Sequence, residues 1–497
     1  MTPERQLELF DRVAELESGP LLSQLVWNGI NLWALFRMEL LDKVLRGEEV
    51  GFEGMVLAKP LGWRQRLSLR RKERSLGKRL AGRLAKTSLE TPLLVVSHTD
   101  GHDQPWGERT YNRHLDPFLE AVQAAGMQAE KVHAWSVSSG LPTHPATLLF
   151  DDPDAVNEYL WLGQKLAGFN APDAAWEVGE LLNVNVERVM KHAAHVRQWM
   201  ELLQPWMDAQ PVEGAALINY HNPFCMALTE VLRLQGKPAF DVQHGKQGAL
   251  NFSYSSYGGS IPLEASLLPG GYWNWNASSA ASILQDGQHF RCAVGGNLWL
   301  NSQRVRTDFP LSLEEQIWLE KLKDAERSLL FCAQPQSDYV IPEYFEAFVR
   351  SHPEIEFGIR LHPRQRVEEV HGLQALEALP NVNVREACSV VLFAALQQVD
   401  IVATRWSTVA VEARQFGKQA WVTDPFGVKT FAAQIAEGQL QPALDLEGWE
   451  TALQRTDWPD YPASEAPRRS SEQVRACVEF LLHPSGSSAL FDPDNRA

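Results

Sequence analysis

Two short stretches bring together side chains suited to binding an anion. In Ile359-Arg360-Leu361-His362-Pro363-Arg364 an apolar run ends at an imidazole flanked by guanidinia. Proline cannot donate a ladder hydrogen bond, so Pro363 marks where the chain leaves a sheet. Imidazole and guanidinium at such an edge can hold a phosphate. The plainer reading is a strand-end turn with surface arginines. The second stretch is Ser407-Thr408, followed by Glu412, Gly417 and Lys418. Ser407 reads as an N-cap and Gly417 as a helix stop, so hydroxyls and free amides face outward at the helix start. Thr408 and Glu412 are four apart on one face, which lets the carboxylate take a ribose or sugar hydroxyl beneath the phosphate. A simple capped helix explains Ser407 and Gly417 but is silent on Glu412.

Earlier in the chain, His98-Thr99-Asp100-Gly101-His102-Asp103 gathers four titratable groups in six residues. Asp100, His102 or Asp103 can serve there as a general base. Histidines and aspartates are also metal ligands, but the order matches no zinc-hydrolase motif, so no metal site is assigned. The bland alternative is a polar loop turning at Gly101. In Asp241-Val242-Gln243-His244-Gly245, strand alternation puts Asp241 and Gln243 on one side and His244 on the other. Asp241 and His244 are the second choice for the base or for acceptor contacts. His192 and His195 read as surface residues of a long helix.

These residues need strands to present them. Pro92 to Ser97, Lys131 to Ser136, Ala215 to Tyr220 and Pro238 to Val242 read as buried strands, with a helix over 109–125 and a helix-rich stretch over 154–207. After Gly295-Gly296 the pattern restarts, with strands at 328–333, 356–361, 382–385, 400–404 and 419–423. Helices are expected at 342–350, 390–398 and 408–416. Alternation of this kind implies a doubly wound parallel sheet. The fold class is therefore α/β: two facing Rossmann-like lobes and an N-terminal helical segment. The expected boundaries are 1–90, 91–300 and 301–497, with a final helix around 476–482 able to cross back to the first lobe. Ligands of such sheets dock beyond the carboxyl ends of the strands, and a cleft between the lobes is the expected site.

The 497 residues carry 46 Lys plus Arg against 62 Asp plus Glu, a formal net charge of −16, which argues against a general nucleic-acid binder. Hydrophobic residues at 44% and charged residues at 22% exclude disorder as the main state. The five scattered cysteines form no Cys-x-x-Cys pair and fit a reducing cytosol. Met1 to Asp11 lacks the apolar core of a signal peptide. Leu21 to Leu45 is apolar but interrupted by Arg37, Glu39 and Asp42, which are too costly for a plain spanning helix; it reads as a buried or interfacial helix.

One segment departs from the average. Arg64 to Lys86 holds ten Lys or Arg and one acid, Glu73, which leaves the other 474 residues at −25. Trp63 and Leu67 are four apart, as are Leu76, Leu80 and Leu84, so a helix carries one apolar stripe. Such a helix can lie on an anionic membrane surface, or it can pack, solvated, on the acidic body. The expected location is cytoplasmic, with a peripheral position on the inner face of the membrane if this segment binds it.

Taken in order, several motifs resemble bacterial surface-polysaccharide glycosyltransferases of the GT-B type. These are Gln243-His244-Gly245, then Tyr272-Trp273-Asn274-Trp275, then Val294-Gly295-Gly296-Asn297, and finally His362-Pro363 and Ser407-Thr408 with Glu412-Ala413 and Gly417-Lys418. That family includes capsule-synthesis and sialyl- or Kdo-transferring enzymes, and the likeness covers residues 91–425. It implies transfer of a sugar from a nucleotide sugar, CMP-linked among the candidates, to a surface polysaccharide or lipid-linked glycan. No cofactor is implied, and the transfer would not need a metal. By position, His362, Ser407 and Thr408 would hold the donor phosphate with Arg360 or Arg364 assisting, and Glu412 resembles the acid of related nucleotide sites. Two positions depart from the pattern: Ser407-Thr408 stands where Ser-Ser is frequent, and Trp275-Asn276 where Trp-Gly is. A nucleotide-sugar epimerase, a polyol-phosphate transferase and a non-catalytic glycan-assembly protein share the same fold and are the competing readings.

Overall fold

A computed structural model of the chain describes residues 3–46, 62–101, 103–106, 108–137, 140–167, 171–247, 250–254, 267–284, 290–304, 306–334, 341–342, 344–362, 365–370, 372–462, 467–483 and 489–494. The chain divides into two compact units. The first lobe comprises Phe10–Asp42, Val50–Trp299 and Pro467–Ala497; the second comprises Met1–Leu9, Lys43–Glu49 and Leu300–Ala466.

The first lobe is built on an eight-stranded parallel sheet. Its strands lie in the order Leu490–Phe491, Arg291–Val294, Gly271–Asn274, Ala239–Val242, Gly214–Leu217, Leu93–Thr99, Ala129–Trp135 and Thr147–Leu148. The chain starts at Leu93–Thr99, winds outward on one side, then returns to wind outward on the other. The reversal between Leu93–Thr99 and Gly214–Leu217 is a topological switch point, the place where doubly wound sheets leave a crevice for ligands. Leu94, Val95 and Val96 are all buried, the mark of a strand covered on both faces. The helices Leu115–Ala124 and Ser471–Leu482 supply one cover, packing Phe118, Val122, Val478 and Leu481 into a core shared with Val95, Phe240 and Trp273. Trp273 explains the Gly295-Gly296 pair. A Cβ at Gly295 would lie 1.9 Å from the Trp273 ring, and one at Gly296 2.5 Å from the Pro467 carbonyl oxygen. The indole N–H also donates to the Gly296 carbonyl at 3.1 Å.

The second lobe holds a six-stranded parallel sheet. The order is Val382–Asn383, Ile355–Arg360, Arg327–Cys332, Ile401–Thr404, Gln419–Val422 and Gln441–Pro442. In chain order this is 3-2-1-4-5-6, with its switch point between Arg327–Cys332 and Ile401–Thr404. Its core is aromatic: Phe345, Phe348 and Trp421 surround Trp449, at ring distances of 5.4, 4.9 and 5.4 Å. Both lobes are thus α/β, doubly wound and Rossmann-like in strand order. Core packing also accounts for much of the tryptophan content, since Trp33, Trp199, Trp273, Trp318, Trp421 and Trp449 are all fully buried.

Local elements differ from expectation where side chains override periodicity. Asp103–Trp106 pairs antiparallel with Arg109–Asn112, where a loop and a helix start were expected. The Asn112 amide oxygen accepts from the backbone N–H of His114 and Leu115 at 3.2 and 3.0 Å, which delays the helix to Leu115. In the stretch expected as a helix from Leu21 to Leu45, the α-helix begins only at Trp33 and runs to Arg46, after a short 3-10 turn at Pro20–Gln24. It follows a tight hairpin of Val26–Trp27 with Ile30–Asn31, turning at Asn28 and Gly29 (φ 49° and 80°). Asn-Gly is the preferred pair for such a turn because both positions need positive φ. Arg37, which argued against a bilayer, is buried against the Glu17 carboxylate, and Trp33 Nε1 donates to the same carboxylate at 2.8 Å. His192 and His195 are half-buried rather than surface residues. His192 pairs with the buried Glu39 at 2.9 Å, and burial, then the neighbouring His192, pushes His195 down to about 4. Among the described residues no helix is long and apolar enough to cross a membrane.

Candidate functional site

The second-lobe residues gather at the carboxyl edge of the sheet, beside its switch point. In the parallel register Cys332 stands level with Arg360 on one side and Thr404 on the other, and Thr404 Oγ1 donates to the Cys332 carbonyl at 2.8 Å. Burial pushes the Cys332 thiol up to about 12, with Arg360 opposing and Glu412 reinforcing, so both charges lie within electrostatic reach of this strand end. Arg360 turns its guanidinium to the carbonyls of Ala387 and Val390 (2.8 and 2.6 Å), closing the end of the helix Arg385–Ser389. Two residues on, His362 is tied to Gln365: Gln365 N–H donates to the His362 carbonyl at 2.8 Å and the Gln365 amide oxygen accepts from His362 N–H at 3.1 Å. His362 is partly exposed. Pro363 and Arg364 lie outside the described residues.

The next strand end is anchored from below. Arg405 is buried and donates through Nε and Nη2 to Asp424 Oδ2 at 3.0 and 2.6 Å. Asp424 Oδ1 accepts from Phe426 N–H at 2.8 Å, capping the helix Pro425–Thr430. Gly427 is required beneath this loop, because a Cβ there would sit 1.8 Å from the Arg405 carbonyl oxygen. Trp406 stacks on the Arg405 guanidinium at 4.5 Å. Ser407 Oγ accepts from Val409 N–H at 3.3 Å and Thr408 is the N-cap residue, one later than the sequence indicated. Gly417, at φ 77°, ends the helix. Ser407, Thr408 and Glu412 remain partly exposed. One sheet edge therefore presents an imidazole, two hydroxyls and a carboxylate over a fixed loop.

In the first lobe the strongest cluster surrounds the end of Ala239–Val242. Asp241 is fully buried and accepts from Tyr220 N–H (3.0 Å), Tyr254 Oη (2.9 Å) and Gln247 Nε2 (3.3 Å). Burial pushes its carboxyl up to about 7 against these hydrogen bonds. Asn274 Nδ2 donates to Gln247 Oε1 at 2.8 Å, and Gln243 Oε1 accepts from Trp275 N–H at 2.7 Å, so three neighbouring strand ends are tied together. His244 is partly exposed, with the rings of His114 and His221 at 5.7 and 6.1 Å and Tyr254 at 6.5 Å. Lys246, also partly exposed as a residue, is pushed down to about 7 by desolvation. Asp241 organises this cluster, and His244 and Lys246 are partly exposed titratable residues beside it. His221 and Lys246 were not among the residues expected from the sequence, although Asn222-Pro223 behind His221 signals a helix start at a strand end.

Asp241 also predicts a pH effect. Its folded pKa is raised, so between the unfolded value near 4 and about 7 the folded state holds the extra proton, and its contribution to stability falls as pH rises through that window. Asp241→Asn should therefore gain relative to wild type in denaturant midpoint from pH 5 to pH 7.5; parallel pH profiles would contradict the assignment.

The earlier candidates are placed differently. His98 packs edge-on to Trp135 at 4.4 Å, and burial, then His133, pushes it down to about 4, as for a core histidine. Asp100 accepts from Val137 N–H at 2.7 Å and from Ser136 Oγ. Asp103 accepts from Asn112 Nδ2 at 2.8 Å and Thr110 Oγ1 at 3.4 Å, bracing this antiparallel pair. Both carboxylates line a cavity of about 150 Å³ with Lys131 and His133. His102 lies outside the described residues. Among the described residues no three His, Cys, Asp or Glu side chains are grouped to hold a metal ion.

No family model matches the chain, and no curated protein does. Among solved structures it is similar to S. aureus MnaA with UDP, at TM-score 0.47 and 10% identity over 79% of this chain and 96% of that one. It is similar to the UDP-GlcNAc 2-epimerase of Methanocaldococcus jannaschii with UDP-GlcNAc and UDP, at TM-score 0.45 and 11% identity over 78% and 99% of the two chains. It is also similar to the wall teichoic acid polymerase TagF, at TM-score 0.38 and 8% identity over 86% and 94%.

Proposed function

We propose that the chain is a glycosyltransferase that moves a sugar from a nucleotide sugar to a glycan or lipid-linked acceptor of a surface polysaccharide. The observation that supports this reading is that the strands leading to His362 and to Ser407, Thr408 and Glu412 both flank Arg327–Cys332 in parallel register, so their carboxyl ends lie along one sheet edge beside the switch point. In this reading the second lobe binds the donor and the first lobe supplies the base. The acceptor hydroxyl gives its proton to the His244 imidazole as its oxygen bonds to the anomeric carbon. The bond from that carbon to the donor phosphate breaks. The charge that develops on the leaving phosphate is met by His362 and by the Ser407 and Thr408 hydroxyls, while Glu412 takes a hydroxyl of the donor.

The test is a thermal-shift panel of CMP-, UDP-, GDP- and CDP-linked sugars, followed by product analysis with and without a glycan acceptor. One nucleotide sugar should stabilise the protein, and His362→Ala should weaken its binding roughly tenfold to a hundredfold, the range for a charge-assisted hydrogen bond. No stabilisation by any member of the panel would sink the proposal. An epimerised nucleotide sugar formed without acceptor would replace transfer by epimerisation.

A further inference from the structure

The basic stretch folds as one helix, Trp63–Leu84, whose two halves have different surroundings. In the second half Leu76, Leu80 and Leu84 are buried. Gly77 lets the helix lie close to Tyr159; a Cβ there would meet that ring at 3.1 Å. Acids of the body neutralise this half and the middle of the helix: Lys72 pairs with Glu158, Arg79 with Asp152 at 3.7 Å, and Arg83 with Asp151. Among the described residues the first half has no such ion-pair cover. From Trp63 to Arg71 every residue is exposed except Leu69, which is half-buried, a run of about 13 Å at 1.5 Å per residue. Among the described residues Arg64, Arg66 and Arg71 form no ion pair with a carboxylate. Trp63 is 71% exposed and Leu67 45%, one turn apart, and Arg64 stacks on the Trp63 ring at 5.3 Å.

We infer that this half-helix docks on an anionic lipid bilayer. An exposed indole and an isobutyl group on one stripe suit the interfacial region, where tryptophan is enriched. Arginines beside them can lay their stems on the apolar boundary and keep their heads among phosphates. The charge pattern sets the orientation: cations nearest Asp151, Asp152 and Glu158 are neutralised within the protein, whereas those nearest Trp63 remain to attract anionic headgroups. A nucleic acid would meet the same guanidinia but gives Leu67 nothing to enter. The inference stands on this helix alone and is independent of the proposed catalysis.

The test is flotation of the full-length protein with phosphatidylcholine vesicles with and without phosphatidylglycerol. Wild type should bind the anionic vesicles, less tightly as salt is raised, and leave the neutral ones. Each cation at the surface is worth roughly fivefold in partition, so Arg64→Ala/Arg66→Ala/Arg71→Ala should lose about a hundredfold. Trp63→Ala/Leu67→Ala should weaken binding without changing its salt dependence. Arg79→Ala, on the neutralised half, should bind as wild type does. All these substitutions are at exposed positions, and circular dichroism will confirm the fold. The inference is overturned if wild type fails to bind, if it binds neutral vesicles equally, if the triple variant binds undiminished, or if single-stranded RNA binds where vesicles do not.

Discussion

His244→Ala should lower sugar transfer by roughly two to four orders of magnitude, the usual worth of a general base, with donor affinity and melting temperature near wild type. The imidazole is partly exposed, whereas the hydrogen bonds that fix this strand end run through Asp241, Tyr254, Gln247 and Asn274. Removing it leaves those hydrogen bonds in place. Asp241 behaves in the opposite sense. Asp241→Ala should reduce stability and activity together, because the Tyr254 hydroxyl and the Tyr220 amide lose a buried acceptor. Lys246 is the built-in alternative, since desolvation places it near 7, where an amine can accept a proton. Steady-state kinetics on His244→Ala and Lys246→Ala separate the two. Full turnover in the first with loss in the second would transfer the role to Lys246.

The fold was legible wherever one physical requirement dominates a stretch. Leu93 to Val96 and Ile401 to Ala403, the centres of the expected strands, are apolar because both faces of a parallel strand are covered, and the structure has strands at Leu93–Thr99 and Ile401–Thr404. Strand order was not legible, since periodicity carries no information on which strand lies beside which, and the switch points follow from that order alone. Side-chain capping also escaped the periodic reading. Asn112 delays a helix by accepting two amide hydrogens, and Asn28-Gly29 reverses the chain inside a run that otherwise looks helical.

For the candidate site, residues at strand ends are visible in the sequence as breaks in apolar runs, as at His362, Ser407 and His244. Residues brought in from other loops are not: His114 reaches His244 from a distant turn, and nothing local to it signals that neighbour. The Gly295-Gly296 motif shows the converse. It contributed to the family resemblance, yet both positions are occupied by packing demands, one from the Trp273 ring and one from the Pro467 carbonyl. A short motif can therefore be carried by the core of a fold, and its presence alone assigns no ligand contact.

The second large effect is expected at the buried Arg405–Asp424 pair. Asp424→Ala removes the acceptor of two guanidinium hydrogen bonds and the cap of the helix Pro425–Thr430 in one step. Removing one partner of a buried ion pair typically costs about 3–5 kcal/mol, because the remaining charge stays desolvated. The second-lobe transition should therefore move to clearly lower denaturant. Replacing both partners, as Arg405→Met/Asp424→Leu, should recover much of that loss, since apolar residues of similar volume often substitute for a buried pair at little net cost. Donor binding should respond differently. Arg405 begins the loop that carries Trp406 and Ser407, and Trp406 rests on its guanidinium, so the double variant should stay folded yet bind the nucleotide sugar more weakly than wild type. Denaturant titration and donor titration on the same three proteins measure both quantities. Recovery of stability together with recovery of affinity would show that the pair serves the fold alone, whereas recovery of stability without affinity identifies Arg405 as the positioning residue for the Ser407 hydroxyl.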